Sequence, residues 1–151
     1  WTMKAFLPRM IERNSGHIVN ISSASGYIGV PRMPAYVAAK WGAIGLTDSI
    51  RLELKLMHAT GVKMTLVCPS YVDTGMFEGA KPPLLTKMLK PEEIVDVAYE
   101  AFKRDQYVVN EPWLVKLTPP LRSLLPQPIF DVISGVLGVT KSMTGWRDTR
   151  S

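Results

Sequence analysis

The chain begins with a helical pattern. Apolar side chains recur there at intervals of three and four residues, which is the period of an amphipathic α-helix. They are Met3, Phe6, Leu7, Met10 and Ile11. Residues 17–22 then form a short apolar run rich in β-branched side chains, which predicts a strand. A loop rich in Ser, Gly and Pro follows over residues 23–34.

Residues 35–58 contain several Ala and Leu and no Pro, and they predict a long helix. Its apolar positions spread around more of the helix circumference than one contact with a sheet needs, and we expect Trp41, Ile44, Leu52 and Leu56 not all to face the same side. A helix with more than one apolar face is buried on more than one side. We therefore expect this helix to pack on a sheet and also on a partner.

Two more apolar runs predict strands at residues 62–68 and 106–110, and the Pro-Glu-Glu sequence at 91–93 predicts the start of a helix over 91–104. The order helix, strand, helix, strand, helix, strand is typical of an α/β protein with parallel strands. Five prolines fall in residues 112–151, so we expect short helices there and no further sheet.

The composition fits one globular domain. Of the 151 residues, 46% are apolar and 21% are charged, which argues against a disordered chain. The net charge of +5 is scattered along the chain, so we expect no nucleic-acid partner. Cys68 is the single cysteine, which excludes an internal disulfide. No His, Cys and carboxylate cluster has the spacing of metal ligands, so we expect no metal site.

Two further expectations concern the location of the protein and its length. No stretch of about 18 residues is both apolar and uncharged, so we expect no membrane span here and a cytoplasmic location, with membrane association through an upstream segment left open. The first predicted helix has no start signal and no initiator methionine before it. We therefore expect these residues to be the later part of a longer protein.

Tyr36 and Lys40 are one helical turn apart near the start of the long predicted helix, so their side chains share a face. A phenol with a pKa near 10 is a poor base at neutral pH, and a neighbouring ammonium group favours the phenolate and lowers that pKa. The pair therefore indicates a tunable acid/base. By itself this spacing is common on helices.

Ser23 follows the first predicted strand, at the carboxyl end where ligands of α/β sheets bind. The loop between Ser23 and Tyr36 can fold the serine hydroxyl back towards the phenol. Such a hydroxyl donates to a substrate oxygen and stabilises the negative charge that develops on it. The structural alternative is a serine that only forms the turn after the strand.

Three short motifs occur in a fixed order. Residues 20–26 read NISSASG, residues 34–40 read PAYVAAK, and residues 68–74 read CPSYVDT. Together they resemble the short-chain dehydrogenase/reductase family over essentially the whole chain. The resemblance implies the C-terminal part of a doubly wound, parallel-sheet Rossmann fold without its N-terminal strands. Residues 1–111 would be the second half of the catalytic domain, and residues 112–151 a C-terminal helical extension.

The resemblance also implies roles for single residues. Ser23 matches the serine that polarises the substrate oxygen, and Tyr36 matches the general acid/base. Lys40 matches the lysine that lowers the pKa of the tyrosine and binds the nicotinamide ribose of NAD or NADP. The residues expected at the cofactor are Tyr36, Lys40, Pro69, Ser70, Tyr71, Val72 and Thr74, with Thr74 on the carboxamide. Those expected at the substrate are Ser23, Ser25, Met76 and Phe77.

The chain departs from the family pattern in two respects. Ser70 stands where the family usually has glycine, a residue that lets the backbone approach a cofactor or take a positive φ. The family's glycine-rich phosphate turn and its catalytic asparagine would lie upstream, and no Gly-x-Gly-x-x-Gly sequence occurs here. We therefore expect these 151 residues by themselves to be inactive.

The expected function is the NAD(P)-dependent interconversion of an alcohol and its carbonyl compound. Residues 1–8 and 142–147 are most similar to members that act on retinoids, steroids and other lipophilic alcohols. One alternative is a 3-ketoacyl reductase, which the proline-rich tail disfavours. Another is a non-catalytic dinucleotide-binding relative, which the intact Ser23, Tyr36 and Lys40 disfavour. In this family the helix at 35–57 pairs with its symmetry mate, so we expect a homodimer or homotetramer.

Overall fold

The computed structural model describes residues 2–146, which form three strands and five α-helices. Trp1 and residues 147–151 lie outside the described residues, as do the parts of the predictions that fall on them. The strands are β1 (Gly16–Ile21), β2 (Val62–Pro69) and β3 (Val108–Glu111). The helices are α1 (Thr2–Glu12), α2 (Pro34–Leu56), α3 (Pro91–Lys103), α4 (Thr118–Leu124) and α5 (Gln127–Val136). Single 3₁₀ turns lie at Ala24–Gly26, Trp113–Leu117 and Val139–Lys141.

The three strands form one parallel sheet in the order β1-β2-β3. Helix α2 connects β1 to β2 and helix α3 connects β2 to β3, so the predicted α/β class is confirmed. β3 begins at Val108, two residues later than predicted. Asp105 turns the chain with a positive φ of 52°, and the Gln106 amide still donates to the Ala101 carbonyl at the end of α3.

The core lies on both faces of the central strand. On one face, Val62 and Met64 of β2 pack with Leu54 of α2, and apolar side chains of α1 cover this cluster. On the other face, Val67 packs with Val109 of β3 and with Ala101 of α3. Helices therefore cover β2 on both sides, which explains why its sequence is almost continuously apolar towards its end.

Helix α2 has one buried side and one exposed side. Thr47 and Leu54 are buried in the molecule. Trp41, Leu52 and Leu56 are exposed, and at about 100° per residue they form one stripe opposite the buried side. As predicted, these three and Ile44 do not all face the same side. Ile44 turns inward, where its Cδ1 approaches Gly26.

The chain after β3 forms the short helical elements already named, α4 and α5 among them. Between residues 2 and 146 there is no helix that is both long enough and apolar enough to cross a bilayer. The remaining long connection is the loop at residues 70–90, whose neck is closed by a bridge between Val72 and Leu89.

Gly61, in the turn before β2, provides a test of the packing between α1 and the sheet. Its amide donates to Asn14 Oδ1 at 2.8 Å, and a Cβ atom added at Gly61 would lie 1.8 Å from the Asn14 carbonyl oxygen. Gly61→Ala should lower the free energy of unfolding by about 1–3 kcal/mol, because backbone must move to make room. Urea denaturation of the intact protein measures this.

The matched control is Gly135→Ala in α5, where an added Cβ would meet no atom within 4 Å. Alanine inside a helix is favoured over glycine by about 0.5–1 kcal/mol, so this variant should be at least as stable as the parent. Equal losses of stability in the two variants would contradict the close approach of Gly61 to Asn14.

Candidate active site

The ends of β1 and β2 hold the first reactive side chain. Ser22 continues the sheet by donating its amide to the Val67 carbonyl at 2.8 Å, and its hydroxyl donates to the Lys40 carbonyl at 2.8 Å. Ser23 caps the next 3₁₀ turn: its Oγ accepts from the Ser25 amide at 3.2 Å and donates to the Pro69 carbonyl at 3.4 Å. The Ser23 hydroxyl is thus held between the two strand ends.

Tyr36 lies in the first turn of α2, which Pro34 begins. Burial raises the pKa of the Tyr36 phenol above its usual 10, and the hydrogen bond with the Ser23 hydroxyl partly opposes this rise. The phenol is therefore neutral over the physiological pH range and able to give a proton. Phe77 lies edge-on to the Tyr36 ring, with 6.1 Å between the ring centroids.

Lys40 lies one turn after Tyr36, on the same side of α2. Its Nζ is 5.5 Å from the centroid of the Tyr36 ring and donates to the Ile21 carbonyl at 3.2 Å. We expected this ammonium group to lower the pKa of Tyr36. In the structure the pKa of Tyr36 is raised instead: desolvation of the phenol is the largest cause, and the group that opposes it is the Ser23 hydroxyl, not Lys40.

One cavity of about 110 Å³ collects most of the predicted substrate residues. Six predicted residues line it: Ser23, Ser25, Tyr36, Ser70, Tyr71 and Phe77. Met76 does not line it; its carbonyl instead accepts a hydrogen bond from the Trp146 indole at 3.0 Å. Lys40, Pro69, Val72 and Thr74 also lie outside the lining.

The apolar walls of this cavity were not among the residues predicted from the sequence. They come from the segment before α2 and from the chain after β3, and include Ile28, Val30, Met33, Leu114, Val115, Leu117, Leu121, Phe130, Ile133, Leu137 and Val139. A signal was available in α5, where residues 130, 133, 134 and 137 all line the cavity and follow the period of a helix face. The tail is therefore part of the site.

Ser25 is the unusual polar group of the lining. Its side chain is buried, with 8% of the residue exposed. Among the buried side-chain oxygen and nitrogen atoms of residues 2–146, the Ser25 Oγ is the one without a hydrogen-bond partner. An unpaired buried hydroxyl costs about 1–3 kcal/mol, and from its place in the cavity wall the Ser25 hydroxyl is able to donate to a bound molecule.

The predicted cofactor residues follow the carboxyl end of β2. Thr74 is exposed beyond the strand end, and its amide donates to the Val72 carbonyl at 2.9 Å. The Ser70 amide donates to the Glu111 carbonyl at 2.7 Å, and Ser70 is not among the residues with a positive φ. Serine therefore fits where glycine is usual. The hydroxyl of Thr74 and the ammonium of Lys40 are the kinds of donor that a ribose and a carboxamide accept, so these residues fit the nicotinamide end of a dinucleotide.

No group of three or more His, Cys, Asp or Glu side chains in residues 2–146 is arranged to hold a metal ion.

A family model described as short chain dehydrogenase matches residues 1–84, which is more than half of the chain. The chain belongs to the short-chain dehydrogenase family. Among curated relatives of this short-chain dehydrogenase, retinol dehydrogenase 10-B of Danio rerio is 40% identical over 95% of this chain and 44% of its own length. Epidermal retinol dehydrogenase 2 of Homo sapiens is 37% identical over 99% of this chain and 49% of its own length.

The fold of this short-chain dehydrogenase is also similar to solved structures. A short-chain dehydrogenase from Sphingobium yanoikuyae in complex with NADPH is 25% identical, with a TM-score of 0.60, over 98% of this chain and 52% of that chain. The chain thus spans about half the length of the proteins it matches. The family resemblance and the Rossmann-type fold expected from the three motifs are confirmed.

Proposed function

We propose that the intact protein is an NAD(P)-dependent oxidoreductase that interconverts a lipophilic alcohol and its carbonyl compound. The observation that carries this proposal is the pairing of the Ser23 and Tyr36 hydroxyls at one cavity whose other walls are largely apolar. A substrate of the retinoid, steroid or fatty-alcohol type has one reacting oxygen on a large apolar body. Such a molecule matches both parts of the lining.

Tyr36 is the proposed general acid/base. Its Oη gives a proton to the carbonyl oxygen during reduction and takes the hydroxyl proton during oxidation. Ser23 donates to the same substrate oxygen and stabilises the charge that develops on it. The raised pKa of Tyr36 favours its proton-donor form.

Lys40, Thr74 and the backbone of residues 69–72 are the proposed holders of the nicotinamide end. NAD(P), when bound, supplies the hydride exchange with the substrate carbon. Lys40 gives the ribose hydroxyls a cationic donor, and Thr74 gives the carboxamide a hydroxyl partner. The likeness to an NADPH-bound dehydrogenase supports this assignment. The phosphate-binding turn is not among these 151 residues, so we expect activity from the intact protein and none from this chain by itself.

The lipophilic substrate is favoured over a 3-ketoacyl compound by the cavity walls. Leu121 of α4 and Phe130 and Ile133 of α5 give the cavity a largely apolar side. The retinol dehydrogenases similar to this chain, at 40% and 37% identity, agree with that preference.

Tyr36→Phe is the direct test of the proton transfer. The variant should reduce kcat with retinol by about 10²–10⁴-fold, because it keeps the ring and removes the only proposed proton donor. The Kd for NAD(P), measured by fluorescence titration, should stay close to that of the parent. The matched control is Tyr99→Phe on the exposed side of α3, which should leave both values unchanged. Near-normal turnover of Tyr36→Phe would refute the assignment.

Ser25→Ala tests the unpaired hydroxyl in the cavity wall. If a substrate oxygen uses this donor, KM should rise by about 2–12-fold, which corresponds to one hydrogen bond. Stability to urea should be unchanged or higher, because no partner within the protein is lost. Ser123→Ala, which changes an exposed serine of α4 outside the cavity, should leave KM unchanged. An unaltered KM in Ser25→Ala would show that the substrate does not reach this hydroxyl.

We also infer that the exposed stripe of α2 joins two copies of the protein in a homodimer or homotetramer. Leu52 is 46% exposed and Leu56 is 81% exposed on this stripe. An isologous contact would cover the same stripe on both copies. Leu52→Lys with Leu56→Lys should lower the mass measured by light scattering. Leu124→Lys, at a leucine of α4 that is 80% exposed, should not. A parent that is monomeric at micromolar concentration would contradict the inference.

A further inference from the structure

Phe77 lies in a long loop that has no regular secondary structure. Residues 70–90 have no helix and no strand, and 21 residues of irregular chain are more than compact domains usually contain. Hydrogen bonds between Tyr71, Asp73 and Leu89 fix only the neck of this loop. Phe77 lies near its tip, yet it lines the cavity and contacts the rings of both Tyr36 and Tyr71.

The hydrogen bonds nearest to Phe77 come from residues 142–146, which we call the C-terminal clasp, and farther along the loop the Leu84 amide donates to the Leu137 carbonyl at 2.8 Å. The Trp146 indole donates to the Met76 carbonyl at 3.0 Å, next to Phe77. The Lys81 amide donates to the Ser142 carbonyl at 2.8 Å, and the Tyr71 hydroxyl donates to Ser142 Oγ at 2.8 Å. The clasp therefore binds the loop on both sides of Phe77.

Two glycines allow the clasp and the loop to touch through their backbones. A Cβ atom on Gly79 would lie 2.2 Å from the Gly145 carbonyl oxygen, and a Cβ atom on Gly145 would lie 2.7 Å from the Gly79 carbonyl oxygen. Neither contact can be relieved by turning a flexible side chain. The two segments are therefore fitted to each other at main-chain distance.

The clasp is itself fixed to the body of the protein. Arg32, just before α2, donates from Nη1 to the Met143 and Thr144 carbonyls, each at 3.0 Å. Ser142 and Met143 are almost completely buried. Arg32 also has a φ of 70°, in the left-handed region that residues other than glycine rarely adopt. A chain of contacts thus runs from the start of α2, through the clasp and the loop tip, back to Tyr36 in α2.

We propose that the C-terminal clasp positions Phe77 against Tyr36, with Trp146 as the positioning residue, and so sets how tightly the cavity holds a lipophilic substrate. The expected effect on substrate binding rests on the proposed function. The claim that the clasp holds the loop does not depend on that function. Because the clasp touches the loop through Met76, Gly79 and Lys81, weakening it should loosen the cavity wall and leave Lys40 and Thr74 in place.

Trp146→Phe tests the clasp, because it removes the indole donor and keeps an aromatic ring. In the intact protein, amide hydrogen exchange should speed up by about 2–12-fold at Lys81 and in the peptide around it, which corresponds to the loss of one hydrogen bond. Exchange in β2 should not change. KM for retinol should rise by a similar factor, while kcat and the Kd for NAD(P) stay close to the parent values.

Two further variants provide an alternative to Trp146→Phe and a control for it. Gly145→Ala should give the same pattern through a steric clash, so it replaces Trp146→Phe if that variant folds poorly. Trp113→Phe, at an exposed tryptophan that does not line the cavity, is the matched control and should change nothing.

The outcomes separate the two proposals. Unchanged exchange at Lys81 in both clasp variants would overturn the clasp, as would faster exchange that is equal in β2 and in the loop. Faster exchange at Lys81 with an unaltered KM would show that the clasp holds the loop without shaping the cavity, which also overturns the inference. A parent protein that turns over no alcohol would refute the proposed function, and the exchange measurement would still decide whether the clasp holds the loop.

Discussion

The parallel pairing of β1 with β2 fixes the position of every reactive group in the site. Ile21 pairs with Val67, and this register leaves Ser22 and Ser23 as the first residues beyond the ladder. In this register Val62 and Met64 pack in the core cluster that α1 covers, and Val67 packs with Ala101 of α3 in the other cluster. The Ser22 hydroxyl then attaches the strand end to α2 through the Lys40 carbonyl, so the helix that carries Tyr36 is held against the same edge.

The sequence was sufficient for the parts of this arrangement that depend on local pattern. Apolar runs and helix periods predict the elements, and the spacing of Tyr36 and Lys40 predicts a shared face. The cavity walls could not be assigned in the same way, because the residues after β3 meet Ser23 and Tyr36 only through tertiary packing. Ser25 was predicted as a substrate residue from its motif, but its lack of a partner is a property of the fold and leaves no trace in the sequence.

The pKa of Tyr36 shows the same limit in physical terms. A sequence reveals the neighbouring ammonium group, which favours the phenolate. It does not reveal the desolvation of the phenol, which depends on how Phe77 and the tail close over the ring. In the structure desolvation raises the pKa of Tyr36, and the phenol keeps its proton. Under the proposed function this state suits reduction of a carbonyl, and oxidation requires an added influence that favours the phenolate.

Such an influence can act through the edge of β1. Lys40 donates to the Ile21 carbonyl at this edge, and the Val19 and Ile21 side chains are exposed on the face of the sheet that α3 partly covers. Parallel sheets are usually covered on both faces and continue by strand pairing, so a strand and helix at this edge would satisfy both the apolar side chains and the backbone groups. A neighbour at the β1 edge would take water away from the Lys40 ammonium and compete for the Ile21 carbonyl.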